Sequence, residues 1–569
     1  REGAAVLAQA PTPPAFPSQV ELITVDAVVV DATGKPVEGL RKDDFVLEED
    51  GQRQDIVNFE AVSVPPESPS DVKAPESSQV ATSAPPGQRP GRAFGVLADD
   101  LRLPGEQTLA LRRALARFLD QSVGPGDAVL LGTTSGQAWW SARMPEGRAD
   151  LLAVLDHVKG RYADPSTREH MTEYEAFAIT HREAGSPPRR PVLEALRSPS
   201  SVTERVAVRL WDQNLCGAKE PIPNDEACFP MVMAAAADID GARRQRTSLT
   251  LRAMARAVNA LAPFRGRSSI VFVSPGFLQD EDLTPQDIAS AALQAHTAVY
   301  FVDARGLVTS ATGAETAPDL ASLENPGGQT QRRLEERNID SGGAAALAEE
   351  TGGFSVRNTN DLGAAVERIA AESRTFYLLG FRPPAGKRAD AWRKLRVTVN
   401  RSGLTTRSRQ GYRLDAATTA AMKPSAIAAA IPLRLASFVR EPLPWDHTRV
   451  VIVTEIDTSG LGVSTPGGSS PPLQLRLEAM PRDGGETAVQ DLSLESAPVR
   501  AGEGAPTGPQ WRSARLEFVL PAGVQGIRAF VHDPGTGRTG VVEQRVVVPE
   551  SAAFRVSTPV LSDQVAPSP

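Results

Sequence analysis

The sequence is poor in the residues that build most metal centres and crosslinked scaffolds. It has 2 cysteines and 6 histidines in 569 residues. Two cysteines exclude a multiply crosslinked scaffold and a four-cysteine zinc site. No two histidines stand four positions apart, which excludes the helical signature of the zinc proteases.

The sequence also lacks a basic excess and long apolar runs. Lys and Arg number 61 against 69 Asp and Glu, a net charge of −8. This balance argues against a general nucleic-acid binder, which would show a basic stripe. No run reaches the roughly 18–20 apolar residues that cross a bilayer, and runs such as Met231–Ala237 are far shorter. At about 150 residues per domain, the length suggests about three or four domains.

The N-terminal residues carry information on the compartment. The segment AAVLAQA at 4–10 ends in small residues, Ala8 and Ala10, which resemble the end of a secretory signal peptide. A loose alanine-rich tail is the alternative. We expect a secreted, periplasmic or cell-surface protein. In an oxidising compartment, Cys216 and Cys228 are expected to form a disulfide across a hydrophilic loop.

Hydrophobic patterns divide the chain into segments. From residue 92, short apolar runs alternate with helical patterns such as Thr247–Leu261, which implies βαβ units and a mostly parallel sheet. Segments 20–61 and 376–414 alternate like β-strands, and neither is long enough for its own core, so we expect them to pair. The expected segments are a flexible N-terminus 1–19, β segment 20–61, Pro/Ser-rich linker 62–91, α/β domain 92–375 with insertions 161–246 and 307–338, β segment 376–414, helical connector 415–431, β-sandwich 432–550 with five strand candidates, and tail 551–569.

Three stretches carry a resemblance to a known family. They are VELITVDAVVVDATGKPVEGLRKDDFVLEEDG from residue 20, GRSSIVFVSPGF from residue 266, and FYLLGFRPP with WRKLRVTVNRSGLTTRSRQGY from residue 376. The chain resembles, over Val20–Tyr412, the von Willebrand factor A-related proteins of acidobacteria and their relatives. The resemblance implies a secreted or surface-directed protein with a Rossmann-like A domain between β elements.

An A domain of this kind often holds a divalent cation at the carboxyl end of its sheet. The usual site has Asp-x-Ser-x-Ser after the first strand, because hard cations need clustered oxygen ligands. Here both serine positions are leucines if Asp99 is the anchor, and they are Arg102 and Pro104 if Asp100 is. Asp99, Asp100 and Ser274 are the only candidate ligands that remain, so we expect no tight metal site. Alternatively, the two carboxylates bind backbone amides at the next helix.

Catalytic motifs are weak. The acidic groups Glu173-Tyr174-Glu175 and Asp280-Glu281-Asp282 could serve a hydrolase, although surface clusters are the ordinary interpretation. The G-x-G-x-x-G at 535–540 precedes a strand-like run, which favours a hairpin turn over a dinucleotide loop. Trp139-Trp140 is either an exposed binding patch or a buried hairpin pair.

The sequence therefore predicts an α/β plus β fold, a Rossmann-like von Willebrand factor A domain flanked by β-sandwich-like modules. The expected function is non-enzymatic binding of an unknown protein partner, without a cofactor. The alternatives are a secreted hydrolase and a structural subunit of an extracellular assembly. Ligands of open α/β sheets sit at the carboxyl ends of the strands, so the expected partner-binding residues are those at that edge: Asp99, Asp100, Arg102, Thr133, Thr134, Ser274, Pro275 and Asp303.

Overall fold

The computed structural model describes most of the chain. The described residues are 23–63, 80–82, 92–183, 192–195, 199–217, 226–262, 264, 267–279, 286–307, 336, 338–357, 362–384, 391–413, 431–459, 461, 472–495, 510–534 and 538–550. The expectations for 1–19 and 551–569 lie outside these residues, as do nearly all of those for 307–338 and 415–431.

Strands make up most of the regular structure. The strands are β1 Ile23–Val30, β2 Phe45–Glu49, β3 Gln52–Gln54, β4 Ile56–Ser63, β5 Val80–Thr82, β6 Ala93–Ala98, β7 Ala128–Thr133, β8 Trp139–Arg143, β9 Ser268–Ser274, β10 Thr297–Asp303, β11 Ser355–Val356, β12 Thr375–Phe381, β13 Trp392–Val399, β14 Thr405–Ser408, β15 Gly411–Arg413, β16 Leu433–Leu443, β17 His447–Asp457, β18 Leu473–Pro481, β19 Ala488–Leu494, β20 Trp511–Pro521, β21 Gly523–His532 and β22 Thr539–Val548.

Helices are confined to the middle of the described chain. They are α1 Thr108–Gln121, α2 Arg148–Leu155, α3 Pro165–Glu169, α4 Glu173–Phe177, α5 Val192–Ala195, α6 Val202–Asp212, α7 Cys228–Leu261, α8 Gln286–Gln294, α9 Gly342–Glu350 and α10 Leu362–Glu372. Among the described helices, none is both long and apolar enough to cross a membrane.

A six-stranded sheet lies at the centre, in the order β11-β10-β9-β6-β7-β8. All neighbours pair in parallel except β7 and β8. Every residue of β6, β7, β9 and β10 is buried, as expected for strands covered on both faces. The alternation of strands and helices in the sequence predicts this mixed α/β arrangement.

Two four-stranded sheets combine the segments on either side of this centre. Their orders are β14-β1-β12-β4 and β15-β13-β2-β3. β1 pairs antiparallel with β12, and β2 pairs antiparallel with β13. The two sheets bury one apolar cluster that includes Val25, Leu47, Tyr377 and Val397. Residues from both flanking segments are therefore needed for this core.

Two further antiparallel sheets follow, in the orders β20-β17-β16-β5 and β19-β18-β21-β22. They share a core that includes Leu435, Ile452, Leu477 and Phe518. The expected linker 62–91 is wrong in part, because Val80–Thr82 forms β5 and pairs with β16. The β-branched residues Val80 and Thr82 favour a strand, and Ala81 between them packs against the shared core.

The insertion has its own apolar cluster, which includes Met171, Ile179, Val206 and Trp211. The expected helix Thr247–Leu261 is too short, because α7 is one continuous helix of 34 residues. Its first half belongs to the cluster of the insertion, and its second half packs against the central sheet. The insertion is therefore joined rigidly to the sheet by a shared helix.

Cys216 and Cys228 form the expected disulfide, with 12 residues of sequence separation. The bond joins Cys216, shortly after the end of α6, to Cys228, the first residue of α7. Both cysteines are buried in the cluster of the insertion.

Replacing both cysteines by serine should lower the free energy of unfolding of the insertion by about 3 kcal/mol, because the closed loop restricts the unfolded chain. Denaturant unfolding measures this change. Thiol titration of the unfolded, unreduced wild type is the control and should find no thiol. Two titratable thiols would contradict the crosslink.

Candidate functional site

Polar side chains from four parallel strands meet at the carboxyl edge of the central sheet. Asp99 follows β6, Thr134 follows β7, and Ser274 and Asp303 end β9 and β10. Parallel strands bring these positions to one edge. The buried apolar strands thus fix the backbone from which each polar group extends.

Asp99 is fully buried at the centre of this edge. Its Oδ2 accepts a hydrogen bond from Ser274 Oγ at 2.6 Å, and its Oδ1 accepts one from Thr134 Oγ1 at 2.8 Å. Burial raises the pKa of the Asp99 carboxyl, and the charge of Arg102 and these hydrogen bonds oppose the rise. Both oxygens of Asp99 are therefore already used inside the protein.

Asp100 is buried beside it and organises the loop after β7. Its Oδ1 accepts from the Ser135 backbone N–H at 2.9 Å, and its Oδ2 accepts from Ser135 Oγ at 2.5 Å. Arg161, about half exposed, places its Nε 3.5 Å from Oδ2. Thr133 takes part in the same turn, where its Oγ1 accepts from the Ala138 N–H at 3.1 Å. Thr134 Oγ1 also lies 3.1 Å from Asp100 Oδ1, so the two adjacent carboxylates share Thr134, whereas Ser274 binds Asp99 and Ser135 binds Asp100.

Arg102 links this edge to the insertion. Its Nε lies 3.8 Å from Asp99 Oδ2, and a terminal nitrogen donates to Thr247 Oγ1 at 2.5 Å. The other terminal nitrogen forms an ion pair with Glu173 at 3.2 Å. Glu173 also pairs with Arg246. Arg102 is thus held by Glu173, in α4 of the insertion, and by Thr247, in α7.

Asp303 forms a separate pair with Arg305, at 2.7 Å between Oδ2 and a terminal nitrogen. It is buried, and so are six of the other predicted edge residues, whereas Pro275 is half-buried: the six are Asp99, Asp100, Arg102, Thr133, Thr134 and Ser274. The structure brings Asp99, Asp100, Arg102, Thr134 and Ser274 into one bonded cluster. A partner at this edge would therefore first meet the residues that cover the cluster.

Sequence reasoning missed Asp340, which lies at the same edge. The tight contact of Gly276 with Ser341 brings it there, since a Cβ on Gly276 would lie 2.5 Å from Ser341 Cα. Asp340 Oδ1 is buried without a hydrogen-bond partner. Burial raises the pKa of Asp340 to about 7, with Glu173 adding to the rise and Arg305 opposing it. No motif marked this residue, because the rise depends on contacts with distant segments.

The other candidates named from the sequence are the two acidic groups and the tryptophan pair. Glu175 accepts two hydrogen bonds from Arg209, at 2.8 and 2.9 Å, which hold its pKa below the usual range despite burial. Both carboxylate oxygens of Glu175 are therefore bound by Arg209. The second acidic group, 280–282, lies outside the described residues. Trp139 and Trp140 are buried, which confirms the buried-pair alternative.

The described part of the G-x-G-x-x-G motif at 535–540 agrees with the hairpin interpretation. The strand β22 begins at Thr539, pairs antiparallel with β21 and occupies the place where a dinucleotide loop would need a helix. Residues 535–537 lie outside the described part of the chain.

Within the described residues, no group of three or more His, Cys, Asp and Glu side chains is disposed to hold a metal ion. No family model matches the chain, and no curated protein matches its sequence. The resemblance to von Willebrand factor A-related proteins therefore stays a prediction that rests on the three quoted stretches.

The ionisation of Asp340 should make stability depend on pH. The native state holds this proton more tightly than the unfolded chain, whose Asp pKa is about 3.9, so stability should fall as pH rises from about 4 through 7. Asp340→Asn should therefore raise the melting temperature at pH 8, and the gain should shrink at pH 5. Asp55→Asn, at an exposed position, is the matched control and should show no such slope. An equal effect of Asp340→Asn at both pH values would contradict the assignment.

Divalent cations should leave the melting temperature unchanged. Arg102 beside Asp99 opposes a second positive charge, and a ligand that binds only the native state must raise stability by mass action. Thermal melts with about 1 mM Mg²⁺, Mn²⁺ or Ca²⁺ measure the effect. A saturable increase that disappears in Asp99→Asn would overturn this expectation.

Proposed function

We propose that the chain is a non-enzymatic, extracytoplasmic protein-binding module built on a von Willebrand factor A-like domain with a degenerate metal site. The observation that carries the proposal is the guanidinium of Arg102, which stands 3.8 Å from Asp99 and is held by Glu173 of the insertion. An arginine thereby supplies the positive charge that a bridging cation supplies in a metal-dependent A domain.

The strand order supports the A-like assignment. The first strand of the central sheet, β6, lies in its middle, with β7 and β8 on one side and β9, β10 and β11 on the other. This is the 3-2-1-4-5-6 arrangement of doubly wound folds, which bind ligands at the carboxyl edge. The antiparallel edge strand β8 is compatible with it.

The partner surface in this proposal is the set of charged residues over the Asp99 cluster. Arg161 is 47% exposed, and Arg246 and Arg305 are 23% and 22% exposed at their side chains. Asp340 and Glu173 add acidic groups at the same edge. Surfaces of this kind favour specificity and fast association over apolar burial. The proposed partner therefore carries a complementary, mainly acidic patch.

The location outside the cytoplasm draws support from the disulfide, because such bonds persist in oxidising compartments. A secreted hydrolase would need convergent carboxylates in one pocket. Glu173 is instead paired with Arg102 and Arg246, and Glu175 is paired with Arg209. These pairs favour binding over hydrolysis.

Charge reversal at the exposed arginines tests the proposal. A partner is captured from envelope or secreted material with the wild type, identified and purified, and its affinity is then measured by calorimetry. Arg161→Glu with Arg305→Glu should weaken binding by at least about tenfold, because complementary charge becomes repulsive. Arg168→Glu, on α3 of the same insertion and 90% exposed, is the matched control and should bind like the wild type. Unaltered affinity of the folded double variant would move the binding surface elsewhere, first to the C-terminal β region.

A further inference from the structure

A cleft of about 500 Å³ lies between the central sheet and the C-terminal β region. One wall comes from the loop after β7 and from α7, and the other from β18, β19 and the turn between them. The lining residues are Ser135, Gly136, Gln137, Arg256, Arg476, Glu478, Gly485, Glu486, Thr487 and Val489. A cleft of this size suits a small ligand or a short peptide end.

Contacts around the cleft hold its two walls together. Asp150 of α2 forms ion pairs with Arg482 at 3.2 Å and with Arg545 at 2.7 Å. Trp140 packs on Gly526, where a Cβ would lie 3.0 Å from its ring. The cleft is therefore a fixed feature of the joined regions, formed before any ligand arrives.

Arg256 is the distinctive group inside the cleft. Its guanidinium lies over the Trp139 ring at 4.0 Å, a geometry that fixes the orientation of the planar group. The side chain is partly buried, and among the described residues it makes no hydrogen bond and no ion pair within 4 Å. Burial lowers the pKa of Arg256, the charge of nearby Glu478 opposes this effect, and the cations Arg528 and Arg476 add to it. An arginine in this setting lacks a direct counter-ion of its own.

The neighbouring charges restrict which anion would fit. Arg476 contributes a second cation but lies 3.3 Å from Glu478, whose side chain is 15% exposed. Glu486 adds a second carboxylate to the lining. The cleft therefore balances two cations with two anions, so a multiply charged group such as phosphate would meet repulsion. A single carboxylate matches the guanidinium fork and adds a smaller negative charge than phosphate does.

We propose that this cleft binds a singly charged carboxylate, of the kind carried by the carboxyl terminus of a peptide, through the stacked guanidinium of Arg256. This binding site is separate from the edge over Asp99, and the proposal does not rest on the partner surface described above.

The test uses the full chain and three probes: N-acetylglycylglycine, its C-terminal amide and inorganic phosphate. Binding is followed by calorimetry and ligand-observed NMR. The acid should bind saturably with a Kd of about 1–10 mM, and the amide and phosphate should bind at least about tenfold more weakly. Equal binding of acid and amide, or no saturable binding of the acid, overturns the proposal.

Variants assign the effect to Arg256. Arg256→Gln should weaken binding of the acid by about tenfold or more, because a charge-assisted hydrogen bond is lost. Arg252→Gln, exposed on the same helix, is the matched control and should stay within about twofold of the wild type. Glu478→Gln should bind the acid about threefold more tightly, since a nearby negative charge is removed.

If Arg256→Gln fails to fold, the affinity of Glu478→Gln for the acid tests the site instead. Unfolding cannot tighten binding, so an increased affinity in this variant cannot result from a loss of structure. Tighter binding of the acid, with weaker or unchanged binding of the amide, supports the site. An unchanged affinity in Glu478→Gln, or a folded Arg256→Gln with wild-type affinity, overturns it.

Discussion

Asp26 is fully buried between two guanidinium groups from different parts of the chain, and the arrangement of the described regions depends on it. Its carboxylate lies 2.8 Å from Arg409 and 3.1 Å from Arg267. Burial alone would raise the pKa of Asp26, but the charges of Arg409 and Arg267 outweigh it and hold the pKa well below the usual range. Removing one partner of such a buried set leaves an uncompensated charge, which costs several kcal/mol, about 3–5.

This ion cluster explains how the β segments sit on the central sheet. Asp26 belongs to β1, Arg409 follows β14, and Arg267 directly precedes β9. Arg267 also donates to Gly352 O at 2.9 Å and to Tyr300 Oη at 3.2 Å, which ties it to the central sheet and its helices. The amino ends of the parallel strands are therefore used for attachment. Their carboxyl ends stay available for the insertion and the Asp99 cluster.

Much of this organisation could be predicted from local patterns. Continuous apolar runs mark β6, β9 and β10, because strands covered on both faces bury every side chain. The five strand candidates between 432 and 550 match parts of β17, β18, β20, β21 and β22 to within one residue, but β16 and β19 were missed. In β19, residues alternate between exposed and half-buried positions, so no apolar face stands out. A local hydrophobic pattern does not predict a strand when the strand is stabilised mainly by pairing with other strands.

The candidate site, like the fold, could be predicted where it depends on neighbouring residues and could not be predicted where it depends on contacts with distant segments. The absence of serine two and four positions after Asp99 is visible in the sequence, and so is the arginine at position 102. What holds that arginine is not visible, since its partners Glu173 and Thr247 lie 71 and 145 residues further along the chain and no local pattern indicates these contacts. Asp340 has no local signal at all. Tertiary contacts, which place charges from four segments within a few ångströms, decide the chemistry of this edge.

Ser135 connects the two surfaces that the described residues present. It donates its N–H and its hydroxyl to Asp100 at the sheet edge, and it also lines the cleft below Arg256. Because Asp100 fixes this turn, the position of the cleft wall depends on the same buried carboxylate that the sheet edge requires. A change in the charge or packing of Asp100 would therefore alter both surfaces, whereas Arg161 and Arg256 each affect only one. The aspartate pair that opens the loop after β6 thus has a positioning role that does not require a metal ion.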